Sequence, residues 1–396
     1  MLHLALTTLL AMPQASGSPE VVPGSTPPGQ AAPGQTTSPD QPTPAPRVTP
    51  RPGTPTATPV PRNTPTPNPK GSPDRLVVVN KSDNSISILD ASNGKLKWTA
   101  PVEKGPHEAE VLFDGKTVAV SDYGRQGEPG RLVSLVDLES GKPVARVDLG
   151  EGSKPHGLKA LRDGRLLVTA EGNKELAIVD PRLGKVTMRI PIGRDVSHMV
   201  AASRDGHRAY VTSLSAGGVS IIDLTTGKVL KFVETGKGAE GVDVTPDGRE
   251  VWVANRGANT ISIVDAKTGT VAGTIKAAEF PIRVKITPNG QRALVSFTGS
   301  GDVGVYDVAT RAEVKRISLG RDAVPGTTNR VFQKRFGTSA APVGLFISAD
   351  GRRAWVAASH ADVVVVIDLD NLRVDDAWKA GAEPDGLAGK FGGTTR

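Results

Sequence analysis

The sequence predicts an all-β fold: a seven-bladed β-propeller closed by a C-terminal strand added to the first blade, after a disordered Pro/Thr-rich segment. Three observations predict it. A unit recurs about every 42 residues, a turn dipeptide keeps its place in the unit, and the unit is incomplete at both ends of the array. A period of this length with β-branched runs is typical of propellers, in which each blade has four strands.

Two segments precede the propeller, which we assign to residues 73–396. Residues 1–17, MLHLALTTLLAMPQASG, are an apolar run followed by small side chains, and we predict a signal peptide cleaved near Ala15 or Gly17, although a basic start is missing. Residues 18–72 are rich in Pro, Thr and Ser and poor in large apolar side chains, which predicts a disordered linker. We therefore expect an exported protein, periplasmic, extracellular or at the cell surface.

The repeat is clearest at the hydrophobic-Asp step that ends its third strand. Successive steps are separated by 47, 43, 43, 42, 42 and 61 residues. They end at Asp90, Asp137, Asp180, Asp223, Asp265, Asp307 and Asp368. Each precedes a turn whose amides can donate to a carboxylate, so we interpret these residues as structural rather than catalytic.

One complete repeat, residues 241–276, contains four strand patterns, A to D, in the order GVDV, EVWVA, TISIVD and TVAGTIK. The turn between A and B carries Asp-Gly or Asn-Gly in six repeats, which suits a tight hairpin. Residues 75–102 supply only strands B, C and D, whereas 383–389, EPDGLAG, has the form of a strand A without a B. We expect this last strand to complete the first blade and so remove the exposed sheet edges.

The segments EVWVANRGANTISIVDAKTG, AYVTSLSAGGVSIIDLTTG and LVVVNKSDNSISILDASNG resemble the YVTN-repeat β-propeller family. The resemblance covers residues 75–389 and implies the propeller fold. That family includes exported and cell-surface binding proteins, a periplasmic member linked to DNA binding, six-carbon sugar lactonases and relatives of the haem d1 domain of nitrite reductase. Because one fold hosts many functions, the function has to be argued from a site.

Composition excludes several classes of site. The chain has no cysteine, which excludes disulfides, thiolate metal sites, cysteine nucleophiles and c-type haem attachment. Its net charge of +7 over 396 residues is too thinly spread to indicate nucleic-acid binding by itself, and aromatic residues for base stacking are scarce. The leading apolar run is too short to cross a bilayer. We expect a monomer that does not span the membrane.

A column of polar residues stands just before the apolar part of strand A in successive blades. Its members are Asp385, His107, His156, His198, Glu240, Ile282 and Val343. Strand A is innermost in a propeller, so these side chains should line the central channel on the face formed by the D–A links and B–C loops. Glu108 and Arg283, one position further along, add charge there. His360, in the last B–C loop, is interpreted as peripheral.

Several functions fit this column, and the sequence leaves them open. His107, His156 and His198 with Glu240 and Asp385 suit Zn²⁺ or another first-row divalent ion. Alternatively, one of the three histidines or Glu240 acts as a general base in lactone opening. The family resemblance implies a third reading, a histidine that ligates haem iron. In the fourth, the histidines only line a polar channel.

Two insertions lie on the same face, at 122–131 and 320–341. The longer one carries Arg330, Lys334 and Arg335, which favour an anionic ligand such as a sugar acid, a phosphate or a single nucleic-acid strand, although a solvated loop is the alternative. We therefore predict a module that binds a small anionic ligand or a protein partner through this face. The alternative is a lactonase-type or metal-assisted hydrolase that uses the histidine column.

Overall fold

The computed structural model describes residues 73–319, residue 336 and residues 339–391 of the chain. These residues form seven four-stranded antiparallel sheets, as the repeat predicted. The predicted signal peptide and linker, and Arg330, Lys334 and Arg335 in the second insertion, lie outside the described residues. No helix in the described ranges is long and apolar enough to cross a membrane.

The strands follow the predicted order A to D within each blade. Blade 1 contains β28 (Pro384–Phe391), β1 (Pro73–Asn80), β2 (Ser85–Asp90) and β3 (Leu96–Pro101). Blade 2 contains β4 (Pro106–Val111), β5 (Thr117–Arg125), β6 (Glu128–Asp137) and β7 (Pro143–Asp148). Blade 3 contains β8 (Pro155–Ala160), β9 (Leu166–Ala170), β10 (Glu175–Asp180) and β11 (Lys185–Pro191).

The remaining blades repeat the same arrangement. Blade 4 contains β12 (Ser197–Ala202), β13 (Arg208–Ser213), β14 (Gly218–Asp223) and β15 (Lys228–Glu234). Blade 5 contains β16 (Ala239–Val244), β17 (Glu250–Asn255), β18 (Thr260–Asp265) and β19 (Thr270–Lys276). Blade 6 contains β20 (Pro281–Ile286), β21 (Arg292–Phe297), β22 (Asp302–Asp307) and β23 (Glu313–Ser318). Blade 7 contains β24 (Pro342–Ile347), β25 (Arg353–Ala358), β26 (Val363–Asp368) and β27 (Arg373–Lys379).

The C-terminal strand closes the ring, which confirms the prediction. β28 pairs antiparallel with β1 in a register that sets Ala388 opposite Val77 and Leu387 opposite Val78. The seven A strands contact one another in an unbroken cycle around the central axis. Trp355 of blade 7 is fully buried against Leu76 and other apolar residues of blade 1, so the seam is packed as well as hydrogen-bonded.

The seven aspartates that end the C strands are turn residues, as predicted. In blade 5, Asp265 Oδ1 accepts hydrogen bonds from the amides of Lys267 and Thr268 at 2.9 and 2.7 Å. The amide and hydroxyl of Thr268 are the main causes that lower the pKa of Asp265. Gly269 then ends the turn with a φ of 62°, a left-handed conformation that favours glycine. These carboxylates are therefore occupied by the chain itself.

The insertion in the B–C loop of blade 2 is an extended hairpin. β5 and β6 continue beyond the other B and C strands as far as the pair Arg125 and Glu128. Tyr123 lies on this extension and directs its hydroxyl group toward the next blade, where it donates to Glu171 at 2.7 Å. The insertion thus supplies a side chain to the channel rather than a separate lobe.

Candidate functional site

All seven residues of the predicted column line one cavity of about 120 Å³ at the end of the channel where D–A links and B–C loops meet. The imidazole rings of His107 and His156 lie 5.0 Å apart between centroids, and those of His156 and His198 lie 3.8 Å apart. The structure therefore brings the three histidines together. Glu240 and Asp385 line the same cavity.

Hydroxyl groups on strand B hold the column residues in place. Thr169 Oγ1 donates to the backbone carbonyl of His198 at 2.6 Å, and Thr212 Oγ1 donates to that of Glu240 at 2.5 Å. In each case the threonine belongs to the blade before the column residue that it holds. Gly157 allows a close approach here, because a Cβ at that position would lie 2.7 Å from the His198 carbonyl oxygen. Adjacent A strands thus bring the rings into contact.

A second set of lining residues lies where strand B meets the B–C segment, and it was missed in the sequence. Its members occupy the position after Asn80, Asp122, Asn255 or Ala358 in their blades. They are Lys81, Tyr123, Arg256 and Ser359. Glu171 occupies the same position in blade 3 and lies behind the lining, where it contacts His198 and Tyr123. Aligning the blades on Asn80, Asp122, Ala170, Asn255 and Ala358 and comparing the position that follows would have found these residues.

His198 lies between two carboxylates. Its Nδ1 contacts Glu171 Oε1 in a short hydrogen bond, and its Nε2 lies 3.1 Å from Glu240 Oε1. Burial alone would lower the pKa of His198, but the negative charge of Glu240 and the hydrogen bonds to both carboxylates outweigh it, so the pKa is raised. His198 is therefore held toward its protonated, donor form.

The other two histidines are held neutral. Burial and the positive charge of Lys81 keep the pKa of His107 well below 6.5, and burial and the charge of His198 do the same for His156. His107 Nδ1 donates to the Gly105 carbonyl at 2.9 Å, which leaves Nε2 as the unprotonated nitrogen. His156 Nδ1 is buried and has no hydrogen-bond partner among the described residues. An orphaned buried polar atom of this kind costs about 1–3 kcal/mol.

Arg283 forms the centre of a buried ion network. Its guanidinium group contacts Glu108 in a short ion pair and Glu240 Oε1 at 3.1 Å. Arg256 Nη1 lies 2.6 Å from the other Glu240 oxygen. Although burial acts in the opposite direction, the charges of His198, Arg256 and Arg283 lower the pKa of Glu240 to about 2, while burial raises the pKa of Glu108. Both Glu240 oxygens are thus committed to cations.

The predicted site residues differ in how the structure places them. His107, His156, His198, Glu240 and Asp385 meet at the cavity, and Arg283 lines it with Glu108 directly behind. Asp385 Oδ2 is 3.5 Å from Lys81 Nζ. His360 also lines the cavity and exposes 4% of its surface, so its assignment to the periphery is wrong. Its B–C loop turns inward, where His360 Nδ1 lies 3.1 Å from the Ser339 carbonyl oxygen.

Fold and site define the class of protein: a seven-bladed β-propeller with YVTN-type repeats and a polar axial cavity. The chain belongs to the family described as "Outer membrane protein assembly factor BamB", whose model matches residues 56–274, more than half of its length. A second family model, described as "YNCE-like beta-propeller", matches residues 231–329 and confirms the predicted YVTN-type resemblance.

Similar proteins agree with this family and this fold. The chain is 27% identical over 157 residues to the proteins called "Uncharacterized protein YncE" in Salmonella typhi and Salmonella typhimurium, and the match covers 39% of this chain. It spans only 42% of the length of those relatives.

Two solved structures share the fold. One is a hydrazine synthase of Kuenenia stuttgartiensis, with a TM-score of 0.59, 18% identity and coverage of 72% of this chain and 89% of that one. The other is a functionally unknown protein from Desulfotomaculum acetoxidans, with a TM-score of 0.65, 15% identity and coverage of 80% and 98%.

Proposed function

We propose that this propeller is an exported binding protein that captures a small anionic ligand in the axial cavity. One observation carries the proposal: buried polar and charged side chains from six blades converge on a single cavity. Burying charge is costly unless it is paired, and the blades are already held together by apolar clusters. A concave site with convergent polar groups and shifted pKa values is typical of a binding site.

The cations at the cavity favour an anion. Lys81, Arg256 and Arg283 line it, and the raised pKa of His198 adds positive charge. The side chains of Arg256 and Lys81 are 29% and 22% exposed, whereas that of Arg283 is 5% exposed, so an incoming anion meets the first two. Glu240 keeps its contact with Arg283 when Arg256 turns to the ligand. Arg330, Lys334 and Arg335 stay candidate ligand contacts.

The size of the cavity limits the ligand. Pockets for drug-sized molecules occupy about 300–1,000 Å³, and a cavity of about 150 Å³ holds one benzene. The described residues enclose about 120 Å³. A small carboxylate or inorganic phosphate fits this space better than a sugar lactone or one nucleotide of a single-stranded nucleic acid.

Titration calorimetry with acetate, malonate and inorganic phosphate tests the proposal. We expect one site per chain, with affinity that falls by about tenfold for Arg256→Gln through loss of a charge-assisted hydrogen bond. Arg249→Gln is the matched control, because Arg249 carries the same charge on an A–B turn at the opposite end of the blade. Equal loss in both variants, or no binding of any of the three anions by the wild type, contradicts the proposal.

His107 favours a second candidate, the lactonase-type hydrolase. Its fixed tautomer presents an unprotonated Nε2 at the cavity, as a general base requires. Turnover of a panel of five- and six-membered lactones, abolished in His107→Gln, would support this candidate. Anion binding without turnover would favour the binding function over the hydrolase.

Export is supported by the predicted signal peptide and by the family description, which refers to the outer membrane. Sequencing the N-terminus of the protein recovered from the periplasm or medium tests it. We expect the mature chain to begin shortly after Ala15 or Gly17, and an intact Met1 in the cytoplasm would contradict export.

A further inference from the structure

A cluster of three buried side chains lies beside the column at the junction of blades 3 and 4. His156 is on β8, His198 is on β12, and Glu171 follows β9. They expose 3%, 7% and 6% of their surface, and each offers one ligand atom such that all three atoms lie within 4.8 Å of one another. Two imidazoles and a carboxylate are a donor set that suits first-row transition ions better than Mg²⁺ or Ca²⁺.

A second observation points to an ion at this cluster. His156 belongs to this cluster, and its Nδ1 is buried without a hydrogen-bond partner in the described ranges. A cation that binds nitrogen and oxygen donors would satisfy it.

The pairing of the surrounding charges distinguishes Glu171 from the other carboxylates. Glu240 is bound by Arg256 and Arg283, and Asp385 faces Lys81. Among the described residues, no lysine or arginine forms an ion pair with Glu171, whose contacts are the Tyr123 hydroxyl and His198. Of these three carboxylates, Glu171 is the one that pairs with no described lysine or arginine, so it is available to a metal.

We propose that His156, His198 and Glu171 bind a first-row divalent transition-metal ion such as Zn²⁺, with His107 as the neighbouring candidate for a fourth ligand. Tetrahedral Zn²⁺ ligands at about 2.0–2.1 Å stand about 3.3 Å apart, so the side chains must rotate to reach this spacing. The ion takes the place of the proton that His198 Nδ1 donates to Glu171, and this proton is released to solvent when the ion binds. Tyr123 then orients Glu171 from outside the coordination sphere, as outer hydrogen-bond partners of metal ligands do. The inference rests on the proposed function in that the ion occupies the floor of the same cavity and adds positive charge for an anion.

The test uses the full chain, purified without a polyhistidine tag and dialysed against a chelator. Zn²⁺, Ni²⁺ and Co²⁺ are titrated separately by calorimetry, and Co²⁺ also by its visible absorption, which reports its coordination. We expect one ion per chain, binding weakened about 100-fold or more by Glu171→Gln and His156→Ala, and weakened about 10–100-fold by Tyr123→Phe. His207→Ala is the control, because His207 is exposed on the opposite face.

Glu171→Gln keeps the shape and volume of the side chain, so a folded variant is available even if His156→Ala unfolds; thermal unfolding of the metal-free variants checks this. Failure of all three ions to bind stoichiometrically overturns the inference, as does unchanged affinity in Glu171→Gln. The two proposals fail separately. If anions bind the metal-free protein and none of the three ions binds, only the metal inference is refuted. If an ion binds and none of the anions binds, only the proposed function is refuted.

Discussion

Asp122 is a buried carboxyl group at a position where two other blades carry asparagine. It exposes 1% of its surface, and its Oδ2 accepts a hydrogen bond of 2.7 Å from Ser134 Oγ. At the equivalent position of blade 5, Asn255 Nδ2 donates to Ser262 Oγ at 3.0 Å. An amide therefore suits this position between strands B and C, and Asp122→Asn isolates the effect of the carboxyl group.

The size of the expected stability change follows from the pKa of Asp122. Burial is the main cause that raises this pKa from 3.8 to about 7, and the negative charge of Glu103 adds to it. The folded protein then binds more protons than the unfolded chain between about pH 4 and pH 7, so the free energy of unfolding falls as the pH rises through that interval. About three pH units at 1.36 kcal/mol each give a loss of about 4 kcal/mol above pH 7.

Urea unfolding of both proteins, followed by tryptophan fluorescence at about pH 4 and pH 8, measures this loss. We expect Asp122→Asn to raise the free energy of unfolding by up to about 4 kcal/mol at pH 8 and to change it little at pH 4, where the carboxyl group is neutral in the folded state. Asn255→Asp is the reciprocal control, and it should lower stability at pH 8 more than at pH 4. A stability difference that does not depend on pH, or a loss at pH 8, would refute the reasoning.

Three further predictions follow from the packing and the charges. Arg283→Met leaves the buried Glu108 without its cation, whereas Glu240 keeps Arg256 and His198, and the change should lower the free energy of unfolding in urea by about 3–5 kcal/mol, with partial recovery when Glu108→Gln is added. Deleting residues 383–396 removes β28 and should abolish cooperative unfolding and increase light scattering, because β1 becomes an open edge. Trp355→Ala should cost about 3–5 kcal/mol, whereas Trp98→Ala, at 44% exposure, should stay within about 0.5 kcal/mol in the same assay.

The fold and the histidine column could be predicted because both follow from the period of the repeat. Each blade has the same strand order, so the place of one Asp or one Gly in the repeat gives the place of every strand. Strand A is then the innermost strand of each blade. The column His107, His156 and His198 follows directly, since equivalent positions in adjacent blades of a closed ring are neighbours. Trp252 and Trp355 occupy equivalent positions on strand B, and each packs against apolar residues of the following blade.

The charge network could not be predicted from the sequence. Arg283 and Glu108 are 175 residues apart and meet only because the channel is narrow enough for side chains to cross it. Glu171 and His360 come from B–C loops, whose inward turn depends on loop conformation rather than on the repeat period. Protonation states depend on the same geometry: His107 and His198 share one column, yet one has a lowered pKa and the other a raised pKa because of their different neighbours.

The ends of the propeller are neighbours in a single ladder, since Pro73 pairs with Phe391 at one extremity of β1 and β28. Tension applied between these two ends would break the hydrogen bonds of that ladder one after another, as a zipper opens, instead of shearing them together. When force is applied between Pro73 and another blade, β1 is held by its hydrogen bonds to β2 as well as to β28.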